Sequence, residues 1–255
     1  MSENRANSST NIKTRLPDSV LSQYVDVVIH CGDLTEESKL DEFRATIRFL
    51  QAVNAPLKLV IAGNHDWTMD IPKFERKVAE VRPPLDPQLV QEIYGYQGES
   101  RKLVCEPSTG TNFLDRGTYS FQLKNGALLK VYASPYTPAF GAWGFQYNPN
   151  QGHEFSIPYA DVVITHGPPK GIMDGQRAGC PYLFEEIARA RPRMHCFGHI
   201  HHGWGVKLVT WRSKISDKPS HLTDIDNGKS VLIKRLNTLR PEDLKVLSAC
   251  VASHY

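Results

Sequence analysis

Four short β-prone runs in this chain each end in a polar turn that pairs glycine with metal-binding side chains. Val25-Asp-Val-Val-Ile-His30 leads into Cys31-Gly32-Asp33, and Leu57–Ala62 leads into Gly63-Asn64-His65-Asp66. Asp161–Thr165 leads into His166-Gly167, and Met194–Phe197 leads into Gly198-His199-Ile200-His201. Between the first two runs, Leu40, Phe43, Ile47, Leu50 and Val53 recur at helical spacing, with Glu36 and Glu37 in the first turn and Pro56 closing the helix. Strand, helix, strand predicts a parallel unit with a crossover helix, so the expected class is α/β. Ligands of such sheets bind beyond the carboxyl ends of the strands. That geometry would bring Asp33, Asn64, His65, His166, His199 and His201 to one place.

The rest of the chain fits one domain built around those strands. The spacing predicts helices near Pro72–Val81, over Pro87–Tyr94 and over about Tyr182–Ala190. Thr118–Leu123 and Ala127–Ala133 flank Lys124-Asn125-Gly126, a hairpin pattern because Asn-Gly supplies the positive φ angles of a tight turn. Ser134–Pro149 is a long loop of Pro, Gly and aromatic residues, the kind of segment that rims a site. Val206–Trp211 and Ser230–Ile233 read as closing strands. No repeat or linker divides the 255 residues. The expectation is a polar segment over 1–19 and a single domain over 20–255, divergent from about residue 213.

Composition excludes several classes. Lys plus Arg is 30 and Asp plus Glu 27, a net charge of +3. That balance gives no footprint for a nucleic-acid polymer, yet does not oppose a small anionic substrate. The five cysteines are odd in number and scattered, which predicts reduced thiols and a cytoplasmic protein. Apolar stretches are too short to span a bilayer, and the first twenty residues hold no apolar core of a signal peptide.

Carboxylate, amide oxygen and imidazole donors together suit Mn, Fe or Zn. Neighbouring glycines let the backbone turn sharply beside them. A single histidine is ordinarily a core or surface residue, and His30, His153, His195, His202, His221 and His254 are read so. Cys31 and Cys196 precede their turns and are expected to face the sheet. Trp67, Tyr136, Phe140, Trp143, Phe145 and Tyr147 could stack a base or simply anchor loops. Lys170 and Arg177 could meet a phosphate or be solvated charges.

Taken together, Gly32-Asp33, Gly63-Asn64-His65-Asp66, Thr165-His166-Gly167 and Gly198-His199-Ile200-His201 resemble the calcineurin-like metallophosphoesterase superfamily. His166-Gly-Pro-Pro169, Gly171, Asp174, Gly179-Cys180 and Phe197–Gly205 are similar to its small branch of brain-expressed metallophosphoesterase-domain phosphodiesterases. The resemblance runs from about Leu16 to about Val209. It implies a four-layer α/β/β/α sandwich and two divalent metal ions that activate hydroxide for attack on a phosphate ester. Asp33 would bridge the ions, Asn64, His166 and His199 would complete the second site, and His201 would belong to the first. His65, oriented by Asp66, would be the acid or charge stabiliser beside the scissile phosphate. Asn64, His65 and Lys170 would bind a small phosphate ester or nucleotide, most plausibly a diester.

One family motif is missing. A strand ending in Asp-x-His normally precedes Gly-Asp and supplies the first metal. Here the nearest counterpart is Ser2-Glu3-Asn4-Arg5, and an arginine stays protonated and cannot bind a metal. Three expectations follow: a shortened chain whose full form carries the motif, an enzyme working with one metal or weakly, or a nucleotide-binding pseudoenzyme.

Overall fold

The computed structural model describes residues 21–175, 178–201 and 205–234. Glu3, Arg5, Arg177, His202 and His254, and any counterpart of the Asp-x-His strand at Ser2–Arg5, lie outside the described residues.

Two sheets form the centre. Strands β1 (Val27–Cys31), β2 (Leu57–Ile61) and β3 (Asn112–Phe113) make one sheet in that order, all parallel. The second has the order β4 (Gly117–Gln122), β5 (Leu128–Ser134), β8 (Val162–Thr165) and β9 (Met194–Phe197). Its β4–β5 pair is the antiparallel hairpin that Asn125-Gly126 predicts, with Gly126 at φ 83°. The β5–β8 and β8–β9 pairs are parallel. Between β5 and β8 in chain order lie β6 (Thr137–Pro138) and β7 (Gln146–Tyr147), paired with each other within the long aromatic loop.

Residues alternate along these strands between two apolar environments, which is why they read as near-continuous apolar runs. Val27, Ile29 and Cys31 join Leu59, Ile61, Val131, Ala133, Val162 and Ile164 in a seam between the sheets. On the opposite face of the first sheet, Val28, Val60 and Ala62 pack on Phe43, Ile47 and Leu50 of α1 (Leu40–Ala52). On the opposite face of the second sheet, Tyr132 and Val163 pack on Leu183 and Ile187 of α5 (Pro181–Ala190). The order helix, sheet, sheet, helix is the expected four-layer sandwich. Each fully buried aliphatic side chain of the seam contributes on the order of 2 kcal/mol, against about 1 kcal/mol net for a hydrogen bond. The seam therefore sets how the two sheets face each other, and with that where the strand ends meet.

The remaining helices are α2 (Ile71–Glu80), α3 (Pro87–Tyr94) and α4 (Glu99–Cys105). Asp70 and Asp86 cap α2 and α3 through side-chain bonds to Lys73 N–H and Gln88 N–H. α4 has no sequence signal: it is seven residues long, starts from a glycine and lacks a side-chain cap. The first turn of α1 is corrected. It holds Asp41 and Glu42, because Glu42 reaches back to accept from the N–H groups of Glu36, Glu37 and Lys39, making 36–39 a capping loop. The first closing strand is shorter than expected, β10 (Val206–Leu208), and pairs with β11 (Val231–Lys234), with Trp211 bridging to buried Ile225. Cys105 and Cys180 are free thiols. No helix among the described residues is long and apolar enough to cross a membrane.

His195 behaves as the ordinary core histidine the sequence suggests, 7% exposed with Nε2 against Thr165 Oγ1 at 2.8 Å. Burial pulls its pKa down to about 3. The unfolded chain takes up that proton near 6.5 and the folded protein does not, so the stability held above 6.5 is lost as pH falls below it. Between pH 7 and pH 5 this one residue should cost about 2 kcal/mol. Urea unfolding at the two pH values checks it: His195→Gln should show a smaller acid loss than the native chain by that amount.

Candidate metal centre

The four turns converge because their strands lie at adjoining edges of the two sheets, where β1 packs against β8 and β9. The approach is close enough to require glycine at two positions. A Cβ on Gly63 would stand 2.3 Å from both the backbone nitrogen and Oδ1 of Asp33, and one on Gly32 would stand 2.6 Å from Ala62 O and His166 Nδ1. Asp33 and His199 both adopt positive φ, 55° and 67°, a conformation that costs a non-glycine residue energy and is kept where the surroundings impose it.

At the centre lies the His166 imidazole, fully buried. Its Nδ1 is 2.8 Å from Cys31 O, and a carbonyl only accepts, so Nδ1 carries the proton. In the neutral ring Nε2 then holds a lone pair, and it faces Asn64 Oδ1 at 2.9 Å and Asp33 Oδ1 at 3.3 Å. Three electron-pair donors thus point at one another. With the Asn64 oxygen facing the ring, a positive charge between them relieves that arrangement, either a second proton on His166 or a cation. The electrostatics agree. Burial opposes ionisation of both partners, yet the His166 contact holds the Asp33 carboxyl below its usual range, and Asp33 raises His166.

His199 completes the donor set. One ligand atom each from Asp33, His166 and His199 lies within 4.8 Å of the others. The His199 ring meets His166 edge-on with centroids 4.9 Å apart, and burial, reinforced by His166, lowers its pKa to about 4. It is therefore a neutral imidazole, the form that binds metals. Carboxylate, amide oxygen and two imidazoles fit a borderline divalent ion such as Mn, Fe or Zn. His201 lies outside that set, exposed on the turn after β9 and near enough to affect the charge on His199.

His65 stands beside this centre. Its backbone N–H donates to Asp33 Oδ1 at 3.0 Å, and its ring Nδ1 donates to Glu36 O at 2.6 Å. The ring is thereby left with Nε2 as the nitrogen that can act on a substrate. The expectation that Asp66 orients this ring is corrected. Asp66 is fully buried and accepts from Gly63 N–H, Leu34 N–H, Thr35 N–H and the Thr35 hydroxyl, tying the turn after β1 to the turn after β2. Burial pushes its pKa up to about 6, against the pull of those donors.

The other candidates separate. Trp67 and Phe145 are core residues, Tyr136 and Tyr147 pack around His153, and Phe140 is 88% exposed. Trp143 alone of the six aromatic residues rests on His65, ring centroids 4.4 Å apart. Lys170 is half-buried and its backbone N–H bonds Cys180 O; among the described residues its ammonium makes no ion pair. Reading the sequence missed the carbonyl of Glu36 and the place of Trp143. The only available signal was the aromatic density of the Ser134–Pro149 loop.

A four-layer sandwich whose paired sheets deliver Asp, Asn and two His from four strand ends defines a metallophosphoesterase fold. The chain belongs to the calcineurin-like phosphoesterase family, which it matches over residues 11–203. It is 32% identical over 203 residues to human metallophosphoesterase domain-containing protein 1, across 74% of this chain and 58% of that protein. It is 33% identical over 205 residues to a probable rhamnogalacturonate lyase C of Emericella nidulans, across 79% of this chain but 17% of that protein. A UPF0046 protein of Caenorhabditis elegans is 29% identical over 195 residues, 47% of its length. The chain thus spans between about a sixth and three-fifths of these relatives.

Proposed function

We propose that this protein hydrolyses a phosphate ester, most plausibly a small diester such as a cyclic nucleotide, with a divalent ion held by Asp33, Asn64, His166 and His199. The observation that carries the reading is that Asp33, His166 and His199 bring one ligand atom each within 4.8 Å of the others, with Asn64 Oδ1 at 2.9 Å from His166 Nε2. An ion bound there would supply Lewis acidity for the phosphoryl oxygens and make water acidic enough to attack near neutral pH.

The protein's own groups account for the rest. Asp33 holds the backbone of His65, and Glu36 O sets its tautomer, so the protonated ring donates from Nε2. Water forms the new P–O bond and gives up a proton; the P–O bond to the leaving group breaks with its electron pair. That oxygen takes the proton from His65, and the proton released by water restores the imidazolium. A lyase name in one relative gives little support here, since the match covers 17% of that protein.

The test is manganese-dependent hydrolysis of bis-p-nitrophenyl phosphate by the full chain, beside His166→Ala. Turnover that His166→Ala lowers by 10²-fold or more is expected. Equal rates in both would overturn the reading. Tight binding of a nucleoside monophosphate by the manganese-loaded chain without hydrolysis would replace it with a nucleotide-binding role.

A further inference from the structure

We propose that Trp143 is a positioning residue for the His65 imidazole, its indole lying on the ring face and held there by a strap fastened to the strand end that carries His65. The inference rests on the phosphoesterase reading and adds to it the means by which His65 is aimed.

Among the described residues, the ring of His65 has a single hydrogen bond, from Nδ1 to Glu36 O. One bond fixes the tautomer and leaves the ring able to rock about it. A flat group against the ring face removes that freedom, and the Trp143 indole supplies it at a centroid distance of 4.4 Å and an interplanar angle of 30°. Aromatic rings offset at such distances attract beyond the area they bury.

Trp143 is itself held from several sides. Its own N–H donates to Gln146 Oε1, the N–H of Gly144 donates to Asn64 O at 3.0 Å, and that of Phe145 donates to Asp70 Oδ2 at 2.8 Å. Gly144 and Phe145 are therefore strapped onto 64–70, the segment that begins with Asn64 and His65, and the Trp143 backbone is tied within the strap to Gln146. Gly144 is pressed so close that a Cβ there would stand 2.7 Å from Trp67 Cα, and Phe145 holds a positive φ of 49°. The outer side is braced by a cation. Lys77 Nζ on α2 lies 4.9 Å from the Trp67 ring centroid and 5.2 Å from that of Trp143, an attraction that links the two indoles. A base-stacking platform would need none of this linkage to His65. A group that must hand a proton to one oxygen needs it, because small misplacements of reacting groups cost rate steeply.

The experiment compares two phosphodiesters in the manganese-loaded full chain, one with a p-nitrophenolate leaving group and one with a nucleoside alkoxide. The first leaves without a proton and the second does not. Trp143→Ala should lower kcat about tenfold or more on the alkoxide ester, change it less than about threefold on the nitrophenyl ester and leave KM nearly unchanged. In a His65→Ala background it should add no further loss, and Trp143→Phe should recover most of the rate. Equal losses on both esters that persist without His65 would overturn the proposal in favour of a structural tryptophan. A KM increase confined to the nucleotide would overturn it in favour of substrate stacking. A native chain with no turnover strikes the phosphoesterase reading instead. Imidazole NMR then decides the positioning separately: the ring-current shift of the His65 carbon-bound protons should vanish in Trp143→Ala while those of His166 and His199 stay. An unmoved His65 signal overturns it.

Discussion

Replacing Asp33 with alanine should abolish metal binding at this centre and lower turnover by at least 10³-fold. Three interactions end with the one carboxylate. It is a donor of the cluster, it accepts the His65 backbone N–H, and it is the charge that faces His166 Nε2. The loss of a Lewis acid alone accounts for several kcal/mol of barrier. Asp33→Asn separates the parts. It keeps an oxygen for His65 N–H and removes the charge, so it should fold near native stability while binding manganese at least 10²-fold more weakly. Calorimetric titration with manganese, beside thermal unfolding of the metal-free proteins, reads both quantities. Native manganese affinity in Asp33→Ala would show that the charge needed between Asn64 and His166 comes from elsewhere.

The parts of this molecule that were legible in the sequence are those written in short-range pattern. Val28, Val60 and Val163 alternate with Ile29, Ile61 and Ile164, and the alternation of two apolar faces announces strands buried on both sides. Gly32 and Gly63 announce close approach, and the clearances of a Cβ bear that out. The joining of Asp33, His166 and His199 followed from parallel strand order. What failed rests on contacts made across the chain by groups with no pattern of their own. Glu36 acts through its carbonyl, which any residue offers, and Trp143 reaches His65 from 78 positions later in the sequence. Adjacency misled at Asp66: in a tight turn, consecutive side chains leave on different sides.

That misreading sets up a second large effect. Asp66→Ala should destabilise the metal-free protein by about 3–5 kcal/mol, the sum over several buried donors that lose their acceptor. The substitution leaves the N–H groups of Gly63, Leu34 and Thr35 without the acceptor that joins the turn after β1 to the turn after β2. Each buried donor left unpaired costs about 1–3 kcal/mol, though the Thr35 hydroxyl can turn to another partner. The melting temperature should fall by about 10 °C. Asp66→Asn keeps one oxygen but turns an NH2 toward N–H groups that already donate, so it should lie between alanine and the native chain. An orienting partner of His65 would behave differently: the asparagine variant would keep its stability and lose kcat. Urea unfolding and turnover measured on the same three proteins distinguish the two. If stability and activity fall together in the order native, asparagine, alanine, Asp66 serves the reaction by holding Asp33 and His65 on adjacent turns. A selective loss of kcat at native stability would restore the pairing with His65 that the sequence suggests.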